Sequence, residues 1–368
     1  MNEKTQPCTH CGAVHPRVNL TWMGSAELCP ECLQRYTVCC DCCGERIWMA
    51  NDYGTHYLHL CASCRADNYV TCENCGALIP QEDAHYNDED EAYCDSCYER
   101  GYGGTIHNYS YKPEPIFYGD GPLYLGVELE VDEAGKDNIN AAQALRVFNQ
   151  ENVYGYVKSD GSLNDGFELV THPCTLETHL QQVPWRETLE ALRGMGYRSH
   201  APGTCGLHVH VSRKALGKDV YEQEETIAKL LYIFERFWQE ILRFSRRTES
   251  QINHWAARYG YKDRGEEILK EAKHGANGRY ACINLTNTDT IEFRVFRGTL
   301  KYNTVIATLQ FVANLCRVAI SLPEYRIQEF SWPALIEALT QDNCPELVQY
   351  LKERNLYVNE PVTAEREV

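Results

Sequence analysis

The sequence predicts an α+β fold preceded by a small array of metal-binding cysteine modules, and three observations carry that expectation. Paired cysteines recur every 32 residues near the N-terminus. Farther along, several short segments alternate apolar and polar residues with the period of a strand. Beside them runs one long stretch, Val220 to Arg247, with Ile227, Leu230, Leu231, Phe234, Trp238, Ile241 and Leu242 at helical spacing.

The repeat comes first. Cys8-Thr-His-Cys11-Gly12, Cys40-Asp-Cys-Cys43-Gly44 and Cys72-Glu-Asn-Cys75-Gly76 are each followed by a second pair, Cys29/Cys32, Cys61/Cys64 and Cys94/Cys97. Twelve cysteines thus form three C-x2-C…C-x2-C units, the signature of tetrahedral four-cysteine sites, and about three Zn2+ ions are expected. The glycine after each first pair suits a knuckle turn with positive φ. Cys39 and Cys42 are left over and offer an alternative to Cys40 and Cys43, which the period of 32 favours. Sequential pairing within each repeat is the simplest arrangement, with cross-bracing between repeats as the alternative. His10, His15, His56, His59 and His85 are possible substitutes but read as ordinary surface histidines. Residues 1–100 hold 16 Asp and Glu against 6 Lys and Arg, including the cluster Asp88-Glu-Asp-Glu91, so the array is a poor candidate for gripping phosphates. Either zinc simply replaces a core in modules too small to have one, or the modules also recognise a protein partner or substrate.

The whole chain of 368 residues carries a formal charge of −17, which disfavours nucleic acid and anionic membranes as partners. Fourteen of the 19 cysteines precede residue 98. No apolar run approaching the roughly 20 residues of a membrane span is read in the sequence, and MNEKTQPC lacks a signal-peptide core. The expectation is a cytoplasmic protein, where thiols stay reduced and paired cysteines bind metal. The expected organisation is three zinc repeats over 1–100, a Gly-, Tyr- and Pro-rich linker over 101–121, a catalytic domain over 122–358 and a charged tail over 359–368.

In that third part, Gly126-Val-Glu-Leu-Glu-Val131 reads as a strand with Leu125, Val127, Leu129 and Val131 on one face and Glu128 and Glu130 on the other. Two carboxylates on one face suit Mg2+, although an alternating surface strand looks the same. A short helix is expected over Asn140 to Gln150. Asp160-Gly161 marks a turn between two extended runs, where Asp160 either stabilises the turn or acts in a site. The second run, Phe167 to Thr171, sets Glu168 opposite Phe167 and Leu169. Leu176 to Met195 is an amphipathic helix interrupted at Pro184. Leu207-His208-Val209-His210-Val211 alternates again, and two histidines on one strand face point to a site that touches metal or donates to phosphate oxygens. Residues 248–278 read as a polar, basic loop, a lid or a solvated excursion, ending at Asn277-Gly278. Arg279 to Leu285 and Thr290 to Arg297 form an expected hairpin whose Glu292 and Arg294 share a polar face, as an ion pair or as a metal ligand and a phosphate clamp. Val305 to Leu322 and Trp332 to Arg354 are packing helices.

The ordered set GVELEV, SDGS, FELVTHP, GLHVHV, RYxxxN and IEFRVF resembles the amidoligase family of the glutamine synthetase-like carboxylate-amine ligases over roughly residues 120–320. The resemblance implies an antiparallel sheet whose concave face holds ATP and Mg2+ or Mn2+, with helices behind. It implies metal ligation by Glu128, Glu130, Glu168 and Glu292, His208 or His210 beside the phosphates, and Arg294 on the transferring phosphoryl group. Asp160, Arg279, Asn284 and Arg297 follow as nucleotide or substrate contacts. The activity implied is ATP-dependent amide or isopeptide formation through an acyl phosphate, on small-molecule, peptide or protein carboxylates and amines. Two other readings stand beside it: a zinc-module adaptor with a degenerate ligase-like domain, and an HxH metal hydrolase, which would require alternating strand-helix repeats.

Overall fold

The computed structural model describes residues 5–87, 90–100, 104–274 and 278–357. Asp88 and Glu89 of the acidic cluster, Asn277 and the tail from 359 lie outside the described residues. The chain divides into two compact units, Met1–Gly104 and Thr105–Val368.

The first unit repeats one design three times. Antiparallel hairpins Thr5–Pro7 with Val14–Pro16, Thr37–Cys39 with Arg46–Trp48, and Tyr69–Thr71 with Leu78–Pro80 each turn at a C-x2-C-Gly knuckle. Gly12, Gly44 and Gly76 there have φ of 74°, 75° and 70°, a region L side chains enter only at a cost. The second cysteine pair of each repeat opens a short helix, with Cys29, Cys61 and Cys94 as N-caps. Apart from cysteines, the fully buried apolar residues of these modules are few, Leu28 and Leu60 foremost. A core that small does not hold a fold unaided.

The second unit is built on one sheet. Its strands are β1 (Ile106–His107), β2 (Tyr124–Val131), β3 (Gly155–Lys158), β4 (Phe167–Thr171), β5 (Cys174–Thr175), β6 (Gly206–Ser212), β7 (Ile283–Asn284) and β8 (Thr290–Arg297). They lie in the order β1-β3-β4-β2-β6-β8-β7, with β5 extending the β4 side of β2. Every pairing between these strands is antiparallel except β1 with β3, which is parallel. Within the linker expected over 101–121, the described residues 105–121 dock on the unit. Ile106 is buried and its N–H donates to Asn138, His107 stacks on Tyr111, and the Tyr118 hydroxyl donates to the Val153 carbonyl, so apolar and aromatic contacts bind this stretch to the unit.

Alternation fixes which face is which. Leu125, Val127, Leu129 and Val131 of β2, Leu207, Val209 and Val211 of β6, and Ile291 and Phe293 of β8 are all fully buried. Each such side chain contributes about 1.5–3 kcal/mol relative to exposure. Helices cover that face: α1 (Asn138–Phe148), α2 (Leu176–Gln181), α3 (Trp185–Gly194), α4 (Val220–Arg236), α5 (Trp238–Ser245), α6 (Glu249–Trp255), α7 (Gly265–His274), α8 (Tyr302–Ser321), α9 (Glu324–Gln328), α10 (Trp332–Leu339) and α11 (Pro345–Glu353). Phe234 of α4 meets Phe293 of β8 with ring centroids 5.6 Å apart, and Phe244 of α5 meets Phe296 at 5.8 Å.

Three helical expectations change. The long helix from Val220 is two helices, broken at Phe237, whose φ of −104° and ψ of 33° leave the helical region. The polar loop over 248–278 contains α6 and α7 instead. Thr248 and Gln251 form a reciprocal capping box, Ile268 and Leu269 of α7 are buried, and Arg258 pairs with the buried Glu235 of α4. Few apolar residues suffice when they fall on one face, which is why composition hides these helices. Finally, α8 is long and apolar enough to cross a membrane by length and composition, contrary to the reading that no such run exists. Most of that window, 83%, is buried inside the molecule, as in the core helix of a globular domain.

His179 ties α2 to the central strand. Its Nε2 lies 3.0 Å from the Leu125 carbonyl and its Nδ1 accepts from the Trp185 indole at 3.3 Å, an arrangement only the neutral ring satisfies. Burial pushes its pKa down to about 4 against the weaker pull of that carbonyl. The unfolded chain therefore binds a proton near 6.5 that the folded chain refuses until about 4. The His179 contribution is full above pH 6.5 and declines as pH falls, reaching about 3 kcal/mol lost near the folded pKa. Denaturant melts should show stability falling between pH 6.5 and 4, with a shallower slope in His179→Gln.

Candidate active site and metal centres

The face of the sheet opposite the helices is polar, and strand register sorts its side chains into transverse rows. In one row Lys158, Glu168 and Glu130 stand side by side on β3, β4 and β2. In the next, Tyr156, Val170, Glu128 and His208 follow across β3, β4, β2 and β6. The third runs Gly126, His210, Glu292 and Asn284 across β2, β6, β8 and β7. Gly126 leaves the floor open beside His210, since a Cβ there would come within 3.5 Å of the histidine Cβ. The rows floor a cleft of about 1430 Å³.

Their polar atoms converge. His208 Nδ1 lies 3.3 Å from Glu128 Oε2 and 3.5 Å from Glu292 Oε1, while its Nε2 lies 3.8 Å from Glu130 Oε1. His210 Nε2 is 3.2 Å from Glu128 Oε1, and its Nδ1 is 3.1 Å from the Thr290 hydroxyl. Glu292 accepts from Arg294 and, at 2.8 Å, from the Asn284 amide. Glu130 accepts from the Gly206 N–H, and Lys158 Nζ stands 3.3 Å from Glu168.

Crowding sets the charge state. Burial works against ionisation of Glu128, but His210 and His208 outweigh it and hold its carboxyl well below the usual range. Glu292 is likewise held down, burial being overcome chiefly by His210. Glu168 goes the other way. Burial and then the charge of Glu128 push it well above the usual range in spite of Lys158. Burial also raises Glu130, with His208 opposing and Asp160 reinforcing. Four carboxylates on one low-dielectric face cannot all stay ionised without more positive charge than the protein supplies.

Oxygen-rich sets with room for cations supply the missing partner. Glu128, Glu168 and His208 present ligand atoms within 4.8 Å of one another, and so do Glu128, His210 and Glu292. Carboxylates suit Mg2+ and Mn2+, and an imidazole in the set tilts the balance towards Mn2+.

Of the residues singled out from the sequence, Glu128, Glu130, Glu168, Glu292, His208, His210, Arg294, Asp160, Arg279 and Asn284 all line this cleft. Asp160 also closes its own turn, accepting from the Ser162 N–H at 2.7 Å. Arg279 stands at the mouth, bonded to the hydroxyls of Tyr109 and Tyr280. Arg297 is the exception. A bulge sets Leu207 opposite Phe296 and Val209 opposite Phe293, so β8 spends an extra residue, Phe296 enters the core and Arg297 falls outside the cleft lining. Two residues escape the reading of the sequence. Lys158 is 8% exposed and faces the cleft beside Glu168, a position that alternation with Val157 marks. Arg247 lies under the β6 end, where a Cβ on Gly206 would meet its Nη2 at 2.8 Å and His208 Nε2 at 2.4 Å, and no sequence pattern marks it.

In the first unit the twelve cysteines gather as Cys8, Cys11, Cys29 and Cys32, as Cys40, Cys43, Cys61 and Cys64, and as Cys72, Cys75, Cys94 and Cys97. Sulfurs within each set lie within 4.8 Å of one another, and Cys39 and Cys42 stand outside them. The first cysteine of each knuckle is prepared as thiolate. Burial opposes it, but backbone N–H groups, those of Cys11 and Cys29 for Cys8, hold Cys8, Cys40 and Cys72 at about 6. Sulfur-only tetrads of this kind are suited to Zn2+. The neighbouring histidines are otherwise engaged: His10 packs against Tyr36, His59 contacts Asp52 and His85 stacks on Tyr98.

Residues 134–316 match the model of the family described as "Putative amidoligase enzyme". No functionally curated protein matches the chain. Among solved structures it is similar to a bifunctional glutathione synthetase from Pasteurella multocida, at 15% identity and a TM-score of 0.30, over 63% of this chain and 46% of that one. The chain therefore spans under half the length of that protein.

Thiol-specific titration of the purified chain should release three equivalents of Zn2+, one for each cysteine set. Cys8→Ser should leave two and lower the melting temperature of the first unit, because the 8/11/29/32 set loses one of its four sulfurs.

Proposed function

We propose, from the match of residues 134–316 to the amidoligase family model, that the polar cup binds a triphosphate with divalent cations and joins a carboxylate to an amine. The observation that supports this reading is the convergence of Glu128, Glu130, Glu168 and Glu292 on His208 and His210 across three registered rows. ATP, when bound, would supply the phosphoryl group that turns the carboxylate into an acyl phosphate, and Mg2+ or Mn2+ would neutralise the anions that meet in that transfer. Glu128, Glu168 and Glu292 are the carboxylates placed to hold the cations, with His208 and His210 filling the sets.

The remaining residues have roles set by charge and position. Arg294 lines the cleft with its guanidinium on Glu292, and burial is outweighed by that carboxylate so that it stays protonated. A fixed cation there stabilises charge that develops during transfer. Lys158 keeps its proton because Glu168 and Glu128 overcome its burial. It is free to shift from Glu168 to an incoming anion once a cation takes that carboxylate. Asn284 and Asn287 both donate to Glu292 Oε2, at 2.8 and 3.4 Å, and so orient its other oxygen into the cleft. The reading does not require a nucleophilic side chain, since the amine itself attacks the activated carbonyl. Cytoplasmic location and a peptide or protein as one substrate belong to the same proposal, supported by reduced thiol sets and an open cleft.

With Mg-ATP and a panel of carboxylates and amines, wild-type protein should release ADP and phosphate in proportion to amide formed. Glu130→Gln should lower that turnover on the order of 100-fold or more. Turnover undiminished in a chelator that spares the cysteine sets would count against the reading.

A second expectation separates ligand from scaffold. Glu168→Gln removes a carboxylate of the cation set and leaves the buried Lys158 without its acidic partner, so the metal-free protein should lose stability in denaturant melts. The same variant should lose most of the thermal shift that Mn2+ gives the wild type.

A further inference from the structure

Outside the cleft, the second unit holds a cluster of arginines without acidic partners. Arg246 Nη1 lies 3.0 Å from His200 Nδ1, and its Nη2 donates to the Arg297 carbonyl. Arg247 donates from Nη2 to the Phe296 carbonyl at 3.3 Å, and Arg354 donates from Nε to the Arg243 carbonyl at 3.1 Å. Among the described residues no carboxylate comes within 4.0 Å of Arg246, Arg247, Arg297 or Arg354, whereas Arg294, Arg258 and Arg317 each have one. The nearby Glu353 is held by Lys301 at 2.8 Å. The Nε atoms of Arg246, Arg247 and Arg297 are buried with no hydrogen-bond partner, and Arg247 is only 6% exposed.

Burying a charged donor without a partner costs more than burying a neutral one, and three side by side repel as well. In a chain of net charge −17 such a cluster is not a by-product of overall composition. Arg246 ends α5 with φ of 65°, the left-handed conformation in which many helices terminate. That turn sends Arg246 towards His200 while Arg247 goes under β8. His200 is held in its neutral form, by burial first and then by Arg297 and Arg246, so its ring nitrogen accepts from Arg246 and adds no positive charge of its own. The Tyr350 hydroxyl spends its proton on the Phe244 carbonyl at 2.7 Å, which leaves oxygen lone pairs facing cations rather than a competing acid.

We propose that Arg246, Arg297 and Arg354 form a binding site for a multiply charged oxyanion, a phosphoryl group or a cluster of carboxylates, distinct from the cation sets of the cleft. Planar guanidinium forks accept paired oxygens of either kind, and a dianion satisfies the orphaned donors while cancelling their repulsion. The site stands whether or not the cleft is a ligase.

Calorimetric titration of the full chain at low salt and without added Mg2+ tests it, using inorganic phosphate in one arm and tricarballylate in the other. Saturable binding of either, weakened at least tenfold in Arg297→Gln and in Arg354→Gln but unchanged in the cleft variant Arg294→Gln, supports the proposal. Preference for phosphate assigns a phosphoryl source, and preference for tricarballylate a carboxylate one. Arg354 is part-exposed at the end of α11, so its variant reports binding even if Arg297→Gln fails to fold. No binding in either arm, or binding that survives both variants, overturns it. Binding lost only in Arg294→Gln also overturns it, because the anion then sits in the cleft.

Discussion

Four carboxylates are held on one sheet face by the incompressible apolar packing on the other, and the second unit depends on that constraint. Leu125, Val127, Leu129 and Val131 are fully buried, so β2 cannot slip by one residue without placing Glu128 and Glu130 in the core. The antiparallel neighbours inherit the register. Glu168 is paired with Glu130, His208 with Glu128, and Glu292 with His210, so one strand's hydrophobic pattern positions the acids and bases of three others. The arrangement is costly for Glu168, whose raised pKa records burial and the neighbouring charge of Glu128. A bound cation would offset that cost, as the proposed function requires.

The first unit solves the opposite problem. It lacks enough apolar residues for a core and gathers sulfurs instead, with backbone N–H groups turned onto Cys8, Cys40 and Cys72. The 32-residue period is the spacing at which a hairpin, a knuckle and a short helix close one such set before the next begins. The two units thus show two ways of concentrating charge in a fold, anionic ligands over a large core and anionic ligands in place of one.

Much of the cleft is legible in the chain because strand alternation is a local property. Glu128, Glu130, Glu168, His208, His210 and Glu292 each sit between core residues, and any reading with period two puts each on the polar face of its own strand. Lys158 is equally legible beside Val157 and escapes notice because lysine is an ordinary surface residue. Arg297 lies past the point where strict alternation holds. Alternation carried past Arg294 expects Phe296 on the polar face, and a bulge between strands, invisible in either strand's own sequence, gives Phe296 to the core. Helices α6 and α7 are hidden because each buries few apolar residues, Ile252 in α6 and Ile268 and Leu269 in α7.

The sequence by itself determined the recurring cysteine pairs and the two-faced character of β2, β4, β6 and β8, since both follow from spacing along the chain and need no knowledge of neighbours. Only the tertiary structure decided that these faces are the same face, that β1 joins the sheet in parallel, and that Arg246, Arg247, Arg297 and Arg354 meet without a carboxylate among them. The reason is that strand order and helix docking are fixed by long-range packing free energy. Arg246 and Arg354 cap separate helices of the chain, and neither carries a local sign that the two helix ends will be neighbours.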